Sequence, residues 1–260
     1  MPRDVGAIVV AAGQGRRLGS GEPGAVPKQY REIGGVPMVV RAVRPFAAHR
    51  EVAQVVVVLP PGDAADPPDF LAALAGPAAG SGTRAASMLT FVGGGCERTD
   101  SVRAGLAALN PDCRVVLVHD AARPFVDADT IHAVIRTART GIGAVAAVPV
   151  ADTLKEAADG DAGRVARTVP RERLWRAQTP QGFPRELIVA AYARAADELA
   201  VARRTTGGAT SGAAHVGVTD DAALVERLGA EVRLVPGSPA NLKITTPADF
   251  AWAESWAAQL

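Results

Sequence analysis

The 260-residue chain is poor in lysine, cysteine and aromatic residues, and it carries almost no net charge. Only three of its 28 basic residues are lysine, at Lys28, Lys155 and Lys243, and the other 25 are arginine. These 28 basic side chains face 27 acidic ones, so the basic excess of a general nucleic-acid binder is missing. The charge balance excludes that class of protein but leaves room for a local phosphate site.

Cysteines and long apolar runs are equally scarce. Cys96 and Cys113 are too few for a disulfide framework or a cysteine-rich metal site, so we expect a cytoplasmic location. The first apolar run breaks at Gly13, and no stretch reaches the roughly 18 apolar residues of a membrane span. We therefore expect neither a membrane nor a nucleic acid as a partner.

Short runs rich in β-branched residues alternate with longer segments of helical period. Near-continuous apolar strands between amphipathic helices indicate a mostly parallel sheet that is covered on both faces. The strand candidates are 6–12, 53–60, 88–92, 114–119 and 143–150, and the helix candidates between them are 36–49, 98–109 and 128–139. We therefore predict an α/β fold of three αβα layers, Rossmann-like, with ligands at the carboxyl ends of the strands.

The second half of the chain is less regular. Residues 152–169 predict irregular or short-strand structure, and the low-complexity segments 60–83 and 203–217 predict surface loops. Further elements are expected as helices at 184–204 and 220–228, a strand at 231–235, and a last helix with Thr246 as N-cap, Pro247 at N1 and Asp249 at N3. We find no internal repeat and treat 1–260 as a single domain.

A glycine-rich segment, AAGQGRRLG at 11–19, follows the first strand. Glycines let backbone N–H groups face an anion, and the two arginines add positive charge. A dinucleotide fingerprint would need glycine where Leu18 stands, and a P-loop would need Gly-Lys-Ser/Thr. An ordinary strand-to-helix turn with solvated arginines is the alternative. The sequence VPKQY at 26–30 favours a phosphate site, because many nucleotidyltransferases hold a triphosphate with such a loop and a following lysine.

Two further clusters lie near predicted strand ends. In HDAARP at 119–124, Asp120 and Arg123 follow the fourth strand and face the expected ligand crevice. A salt-bridged turn, in which the two residues satisfy each other, is the alternative. In NLKIT at 241–245, Lys243 precedes the last helix and suits a second phosphate, with a solvated loop lysine as the alternative.

Together with PVADTLK at 149–155, these ordered blocks resemble the 2-C-methyl-D-erythritol 4-phosphate cytidylyltransferase family of non-mevalonate isoprenoid synthesis. The resemblance covers about residues 5–256. It implies a nucleotidyltransferase that uses CTP and 2-C-methyl-D-erythritol 4-phosphate and yields 4-diphosphocytidyl-2-C-methyl-D-erythritol and pyrophosphate. It also implies a homodimer with a protruding dimerisation arm at 150–175. Mg²⁺ would be held mainly by the CTP phosphates, with no metal ligand expected from protein side chains.

The resemblance assigns roles to individual residues. Catalytic roles are implied for Arg17, Lys28, Arg171 and Lys243. Substrate contacts are implied for Asp120, Arg123, Thr153 and Thr219, and nucleotide contacts for Ala11, Ala12, Gly13, Gly15, Gly95, Cys96 and Ser101. Arg171 would reach across the dimer, with Arg173 as second candidate. Cys96 stands where relatives often have an aspartate that contacts cytosine, so we expect base recognition from backbone groups and Ser101. Lys155 is expected to be structural.

The sequence leaves two alternative functions open. A ribitol 5-phosphate cytidylyltransferase has the same scaffold, but that relative tends to carry Ser-Val where this chain has Ala121 and Ala122. A non-catalytic nucleotide-binding protein would be favoured by loss of Arg17 or Lys28, and both are present.

Overall fold

Strands and helices alternate in the computed structural model of the chain, which describes residues 2–13, 26–75, 88–205 and 220–260. The strands are β1 (Val5–Val10), β2 (Glu32–Ile33), β3 (Val36–Pro37), β4 (Val52–Leu59), β5 (Met88–Gly93), β6 (Val115–Asp120), β7 (Gly143–Pro149), β8 (Leu154–Ala158), β9 (Asp161–Val169), β10 (Trp175–Pro184) and β11 (Val232–Pro236). The helices are α1 (Met38–Ala48), α2 (Pro61–Ala65), α3 (Asp69–Ala75), α4 (Arg98–Ala108), α5 (Ala128–Ala138), α6 (Arg185–Thr205), α7 (Asp221–Glu226) and α8 (Pro247–Ala257), and a turn of 3-10 helix covers Lys28–Tyr30. Every strand and helix predicted within residues 1–150 is confirmed.

Seven strands form the central sheet, in the order β11-β7-β10-β6-β1-β4-β5. The pairs of β1 with β4 and β6, of β4 with β5 and of β7 with β11 are parallel, whereas β10 is antiparallel to both its neighbours. Helices α1 and α5 cover one face of the sheet, and α4, α6 and α7 cover the other. The predicted three-layer α/β fold with a mostly parallel sheet is confirmed.

The valine-rich strands are apolar along their whole length because both faces of the sheet are covered. In β4, Val55 and Val57 belong to one buried cluster, and Val56 and Val58 belong to the other. Successive side chains of a strand point to opposite faces, so one run of valines serves both layers. Each fully buried valine contributes about 1.5–3 kcal/mol relative to an exposed one.

The segment predicted as a loop at 60–83 begins instead with α2 and α3. Leu71 is fully buried and Phe70 packs against the same core cluster, so these short helices have an apolar anchor that composition alone did not suggest. The prediction of a loop is therefore wrong for 61–65 and 69–75. Residues 76–87 lie outside the described residues, as do residues 206–217 of the second predicted loop.

Strand β10 was not predicted as a central strand. Its sequence, WRAQTPQGFP, contains two prolines and several polar residues, which are uncommon in the middle of a sheet. The structure accommodates Pro180 at a break in the pairing with β7 between Ala177 and Gln181. Gln178, Thr179 and Gln181 are buried and hydrogen-bonded, so the polar residues are satisfied inside the sheet.

Strands β8 and β9 form an antiparallel hairpin that is a sheet of its own. Its residues are almost all exposed, including Val165 at 55%. Lys155 Nζ donates to Thr168 Oγ1 across the hairpin at 2.7 Å, in keeping with the structural role expected for this lysine. The hairpin occupies most of the segment that we predicted as irregular or short-strand structure.

The last helix begins as predicted. Thr246 caps α8 by accepting a hydrogen bond from the Asp249 backbone N–H, and the Asp249 carboxylate accepts from the Thr246 N–H in return. None of the helices in the described parts of the chain is long and apolar enough to cross a membrane.

Candidate active site

A cleft of about 620 Å³ opens at the carboxyl ends of β1, β5 and β6, where ligands were predicted. The segments that follow these strands line the cleft, and the loop before α8 forms one side of it. Nine of the predicted site residues line the cleft, namely Ala11, Ala12, Gly13, Lys28, Gly95, Cys96, Ser101, Asp120 and Lys243. Residues from five separate sequence blocks are thus brought to one place.

Lys28 is held at the rim by the two residues that follow it. Gln29 is buried, and the Tyr30 hydroxyl donates to Asp63 Oδ2 at 2.6 Å while its ring meets Phe70 edge-on. Burial and the neighbouring Asp63 carboxylate both raise the pKa of Tyr30, which keeps the hydroxyl a donor. The lysine is partly exposed and belongs to a short, anchored turn, so its ammonium can meet a ligand at small cost in ordering.

The turn between β5 and α4 lies close to the end of β1. A Cβ atom on Gly94 would lie 2.4 Å from Ala12 Cβ, so only glycine fits there. The buried Ser101 hydroxyl accepts a hydrogen bond from the Gly95 N–H at 3.3 Å and donates to the Glu97 carbonyl. Ser101 thereby shapes this backbone, which fits base recognition through main-chain groups.

Asp120 lies between two cations at the end of β6. Its Oδ1 accepts from Arg98 Nε at 3.1 Å, and its Oδ2 pairs with Lys243 Nζ at 2.7 Å. Burial by itself would raise the pKa of Asp120, but the charges of Arg98 and Lys243 outweigh burial and hold that pKa well below its ordinary value. The carboxylate is therefore ionised and fixes the position of Lys243, which is 43% exposed to the cleft.

Sequence reasoning did not single out Arg98, although it stands in the GGGCERTDS block at 93–101. Its guanidinium makes two parallel hydrogen bonds to the fully buried Asp221 carboxylate, at 3.0 and 2.8 Å. Asp221 also accepts from the buried Tyr192 hydroxyl at 2.5 Å. Burial would lower the pKa of Arg98, but the two carboxylates raise it above its ordinary value. Arg98 thus connects the cleft to α6 and α7. The feature of the sequence that could have drawn attention to Arg98 is the Arg-Thr-Asp segment at the start of α4.

A chain of hydrogen bonds runs behind Asp120. The Asp120 N–H donates to Thr179 Oγ1 at 3.0 Å, and the Thr179 hydroxyl contacts His119 Nδ1 at 2.9 Å. His119 Nε2 contacts the Arg123 carbonyl at 3.0 Å. A carbonyl only accepts, so His119 carries its proton on Nε2 and accepts at Nδ1. Burial lowers the pKa of His119 to about 4, so this neutral form prevails at neutral pH.

Arg123 lies beside the cleft and does not line it. Its Nη1 donates to the Asn241 carbonyl at 2.9 Å and its Nη2 to the Ala177 carbonyl at 3.3 Å. The predicted alternative of an Asp120–Arg123 salt bridge is wrong, since Asp120 pairs with Arg98 and Lys243. Arg123 instead supports the loop that carries Lys243, and a direct substrate contact by it stays a prediction.

Two predicted residues that the structure describes, Thr153 and Arg171, are not brought to this cleft. Thr153 and Arg171 are exposed at the base of the β8–β9 hairpin, where Arg171 Nη1 donates to the Ala151 carbonyl. Neither lines the cleft of its own chain. Arg17, Gly15 and Thr219 lie outside the described residues, so their roles stay predictions.

The described part of the cleft offers little to a metal ion. Asp120 uses both carboxylate oxygens for Arg98 and Lys243, and no group of three His, Cys, Asp or Glu ligand atoms assembles among the described residues of the cleft. Mg²⁺ commonly keeps several waters and binds through substrate phosphates with one or two carboxylates. The donor set therefore fits a divalent ion that arrives with a nucleotide triphosphate.

Comparison with known proteins places the chain in one family. The family model of 2-C-methyl-D-erythritol 4-phosphate cytidylyltransferase matches residues 5–259. A protein of that name from Streptomyces coelicolor is 43% identical over 98% of this chain and 85% of its own length. The crystal structure of the protein of that name from Thermus thermophilus is 31% identical, with a TM-score of 0.67 over 99% of this chain and 100% of its own. The crystal structure of a 4-diphosphocytidyl-2C-methyl-D-erythritol synthase from Anaerococcus prevotii is 26% identical, with a TM-score of 0.73 over 98% and 99%.

Proposed function

Because the chain belongs to the 2-C-methyl-D-erythritol 4-phosphate cytidylyltransferase family, we propose that its cleft transfers the cytidylyl group of CTP to 2-C-methyl-D-erythritol 4-phosphate. The protein is a nucleotidyltransferase of isoprenoid precursor synthesis. The observation that carries the proposal is the meeting of Lys28, Asp120 and Lys243 beside the start of the glycine-rich loop in one cleft. The same arrangement speaks against a non-catalytic nucleotide-binding protein, which has no use for a second phosphate site.

The reaction joins two anions. A phosphate oxygen of 2-C-methyl-D-erythritol 4-phosphate attacks the α-phosphorus of CTP, and a new P–O bond forms. The bond from the α-phosphorus to the oxygen that bridges to the β-phosphorus breaks, and its electron pair leaves with pyrophosphate. A phosphate monoester is already a nucleophile near neutral pH, so catalysis consists mainly of positioning and charge stabilisation.

The described residues supply these two effects. The backbone of Ala11–Gly13 approaches the triphosphate, and the Lys28 ammonium stabilises the charge that develops on the α-phosphoryl oxygens and the leaving group. Lys243 aims the attacking phosphate. An ammonium has three donors, so Lys243 can keep its contact with Asp120 and donate to a phosphate at the same time. Asp120 thereby orients Lys243, and Arg98 holds Asp120 from the other side.

We propose Mg²⁺ as the divalent ion, bound mainly by the CTP phosphates. It supplies charge neutralisation between the phosphates when bound. In this proposal Lys28 holds the phosphates. Asp120 does not bind the metal, because it is paired with Lys243.

We further propose a homodimer in which the arm at 150–175 carries Arg171 to the cleft of the second subunit. The support is that Arg171 and Thr153 are exposed and stand outside the cleft of their own chain, on a hairpin with few buried residues. The exposed Cys96 and the buried Cys113 are unpaired thiols, which fits the reducing cytoplasm that we propose as its location.

A pyrophosphate-release assay tests the activity. With CTP and Mg²⁺, 2-C-methyl-D-erythritol 4-phosphate should support turnover, whereas ribitol 5-phosphate and a reaction without acceptor should not. Turnover only with ribitol 5-phosphate would establish the alternative enzyme. No turnover with either acceptor, from protein that still binds CTP, would favour a non-catalytic binding role.

A further inference from the structure

A second cluster of potential ligand side chains lies at the amino ends of the strands, opposite the cleft. Among the described residues, His49, Glu51 and His132 offer one ligand atom each, and these atoms all lie within 4.8 Å of one another. His49 directly follows α1, Glu51 directly precedes β4, and His132 belongs to α5. The cleft occupies the carboxyl ends of the strands, so this cluster at the amino end of β4 is separate from it.

The carboxylate of Glu51 is already oriented toward one histidine. Its Oε1 lies 3.2 Å from His132 Nδ1, while its Oε2 is held by Arg139, which is itself paired with Asp4. For bonds of about 2.0–2.1 Å in a tetrahedral zinc site, neighbouring ligand atoms lie about 3.3 Å apart. The Glu51–His132 pair therefore already has the spacing of two ligands. Arg139 acts as an outer partner that fixes the carboxylate, as is usual around metal ligands.

His49 presents a ring nitrogen with a lone pair toward Glu51. Its Nδ1 accepts a long hydrogen bond, 3.3 Å, from the Glu51 N–H, so this nitrogen holds a lone pair. The His49 and His132 rings face each other at 6.3 Å between centroids. His49 is the residue after α1 and has an extended backbone, and its ligand atom lies within 4.8 Å of those of Glu51 and His132.

Solvent access and charge also permit an ion here. The His132 side chain is 32% exposed, which gives a path of entry, whereas the Glu51 side chain is 1% exposed. Two carboxylates, Glu51 and Asp4, offset Arg139 and the nearby Arg50. Two imidazoles and one carboxylate are a common set of protein ligands for Zn²⁺, with water in the fourth position.

We propose that His49, Glu51 and His132 form a Zn²⁺ site that connects α1, β4 and α5 at the amino end of β4. The ion would link these three elements, and it would lie at the ends of the strands opposite the catalytic cleft. Its binding is independent of the proposed activity, so the two can fail separately.

Cobalt titration followed by visible absorption tests the site, since Co²⁺ in a tetrahedral nitrogen and oxygen environment shows ligand-field bands. In buffer with excess Mg²⁺, the full chain should bind one Co²⁺ with such bands, and one equivalent of Zn²⁺ should remove them. Loss of an outer partner alone weakens metal sites about 10–100-fold, so His132→Ala and His49→Ala should each weaken Co²⁺ at least about tenfold. The matched control, His215→Ala, should bind as the native chain does.

Zn²⁺ should also raise the melting temperature of the native chain and of His215→Ala, but not of His132→Ala. His132 is partly exposed, so its replacement should leave the fold intact, which the far-ultraviolet circular dichroism spectrum checks. Absence of the bands in the native chain would overturn the proposal. Equal Co²⁺ affinity in the native chain and in both ligand variants would overturn it as well, because the ion would then bind elsewhere.

Discussion

At the scale of single residues, the site depends on side chains whose charge is held by a specific partner. Asp120 uses one oxygen for Arg98 and the other for Lys243. Arg98 in turn uses its second edge for Asp221. Removal of one member of such a pair is strongly destabilising, because it leaves the other charge buried and uncompensated.

The Arg98–Asp221 pair permits a direct test of this dependence. Arg98→Met should destabilise the protein by about 3–5 kcal/mol, because Asp221 is left fully buried without its cation. The matched double variant Arg98→Met/Asp221→Asn should lose less, since the buried charge is gone while the amide still meets Tyr192. Urea unfolding at pH 7 measures both values. A double variant less stable than the single one would contradict this account of the pair.

Lys28 is expected to act on the transition state. Lys28→Ala should lower kcat about 100-fold or more, by analogy with removal of one donor at a developing oxyanion. It should weaken CTP binding much less, because the backbone of Ala11–Gly13 also approaches the triphosphate. Steady-state kinetics and calorimetric CTP binding provide the comparison. Equal losses in kcat and in CTP affinity would assign Lys28 to ground-state binding.

Residue identities in the cleft could be predicted from the sequence because they follow strand ends and lie in dense local blocks. Asp120 was found at a strand end, whereas Lys28 and Lys243 were singled out because their blocks resemble those of the family. The partners of these residues could not be predicted. Arg98 and Asp221, for example, are 123 residues apart in the sequence, and no local pattern indicates that they pair. Arg123 illustrates the limit, because its position in a recognisable block did not reveal that it holds the carbonyls of Asn241 and Ala177.

At the scale of elements, the β8–β9 hairpin has too little buried surface to account for its own order. Isolated two-stranded hairpins are marginal in water, and this one keeps Val165 and most other side chains exposed. A partner subunit would cover it, as the proposed dimer requires.

Mixed dimers test the arm. Arg171→Ala and Lys28→Ala chains should each be nearly inactive alone. If Arg171 acts on the cleft of the other subunit, half of the random dimers have one intact site, and about a quarter of native activity should return on mixing. The matched control mixes Lys28→Ala with Lys243→Ala, whose residues share one cleft, and should recover nothing. No recovery in dimers shown to contain both chains would count against the crossing arm.

The elements themselves were predictable where periodicity was clear. The sheet strands of the first half are apolar runs, and α1 and α5 are amphipathic, so for these elements tertiary structure agrees with local pattern. Strand β10 escaped because its prolines and glutamines contradict a buried strand, and only tertiary hydrogen bonds from Gln178 and Gln181 make it possible. Leu71 and Phe70 similarly stabilise α3 through packing that low-complexity flanking sequence conceals.

At the scale of the whole molecule, the neutral His119 couples global stability to pH. The imidazole is fully buried in the hydrogen-bonded chain between Arg123 and Thr179. Its folded pKa of about 4 lies below the ordinary value of 6.5, so the unfolded chain binds one more proton between these values. The stability that neutral His119 contributes is therefore complete above pH 6.5 and is lost as the pH falls toward 4.

The expected loss from this group is about 3 kcal/mol of unfolding free energy, at 1.36 kcal/mol for each unit of pKa difference. Urea unfolding between pH 7 and pH 4 measures it. His119→Gln should be less stable at pH 7 but should show a smaller decrease over the same range. An unchanged slope in the variant would assign the acid sensitivity to other groups.

The reversed direction of β10 has a consequence for how such a protein can evolve. Every other strand of the central sheet has its carboxyl end on the side of the cleft. Strand β10 has its amino end there, and it follows directly after the arm. A one-residue slip in the register of β10 would exchange the two faces of the strand and turn the Thr179 hydroxyl away from Asp120. Changes in length are therefore tolerable at the hairpin turn around Gly160, whereas within β10 they would displace a side chain that holds the cleft.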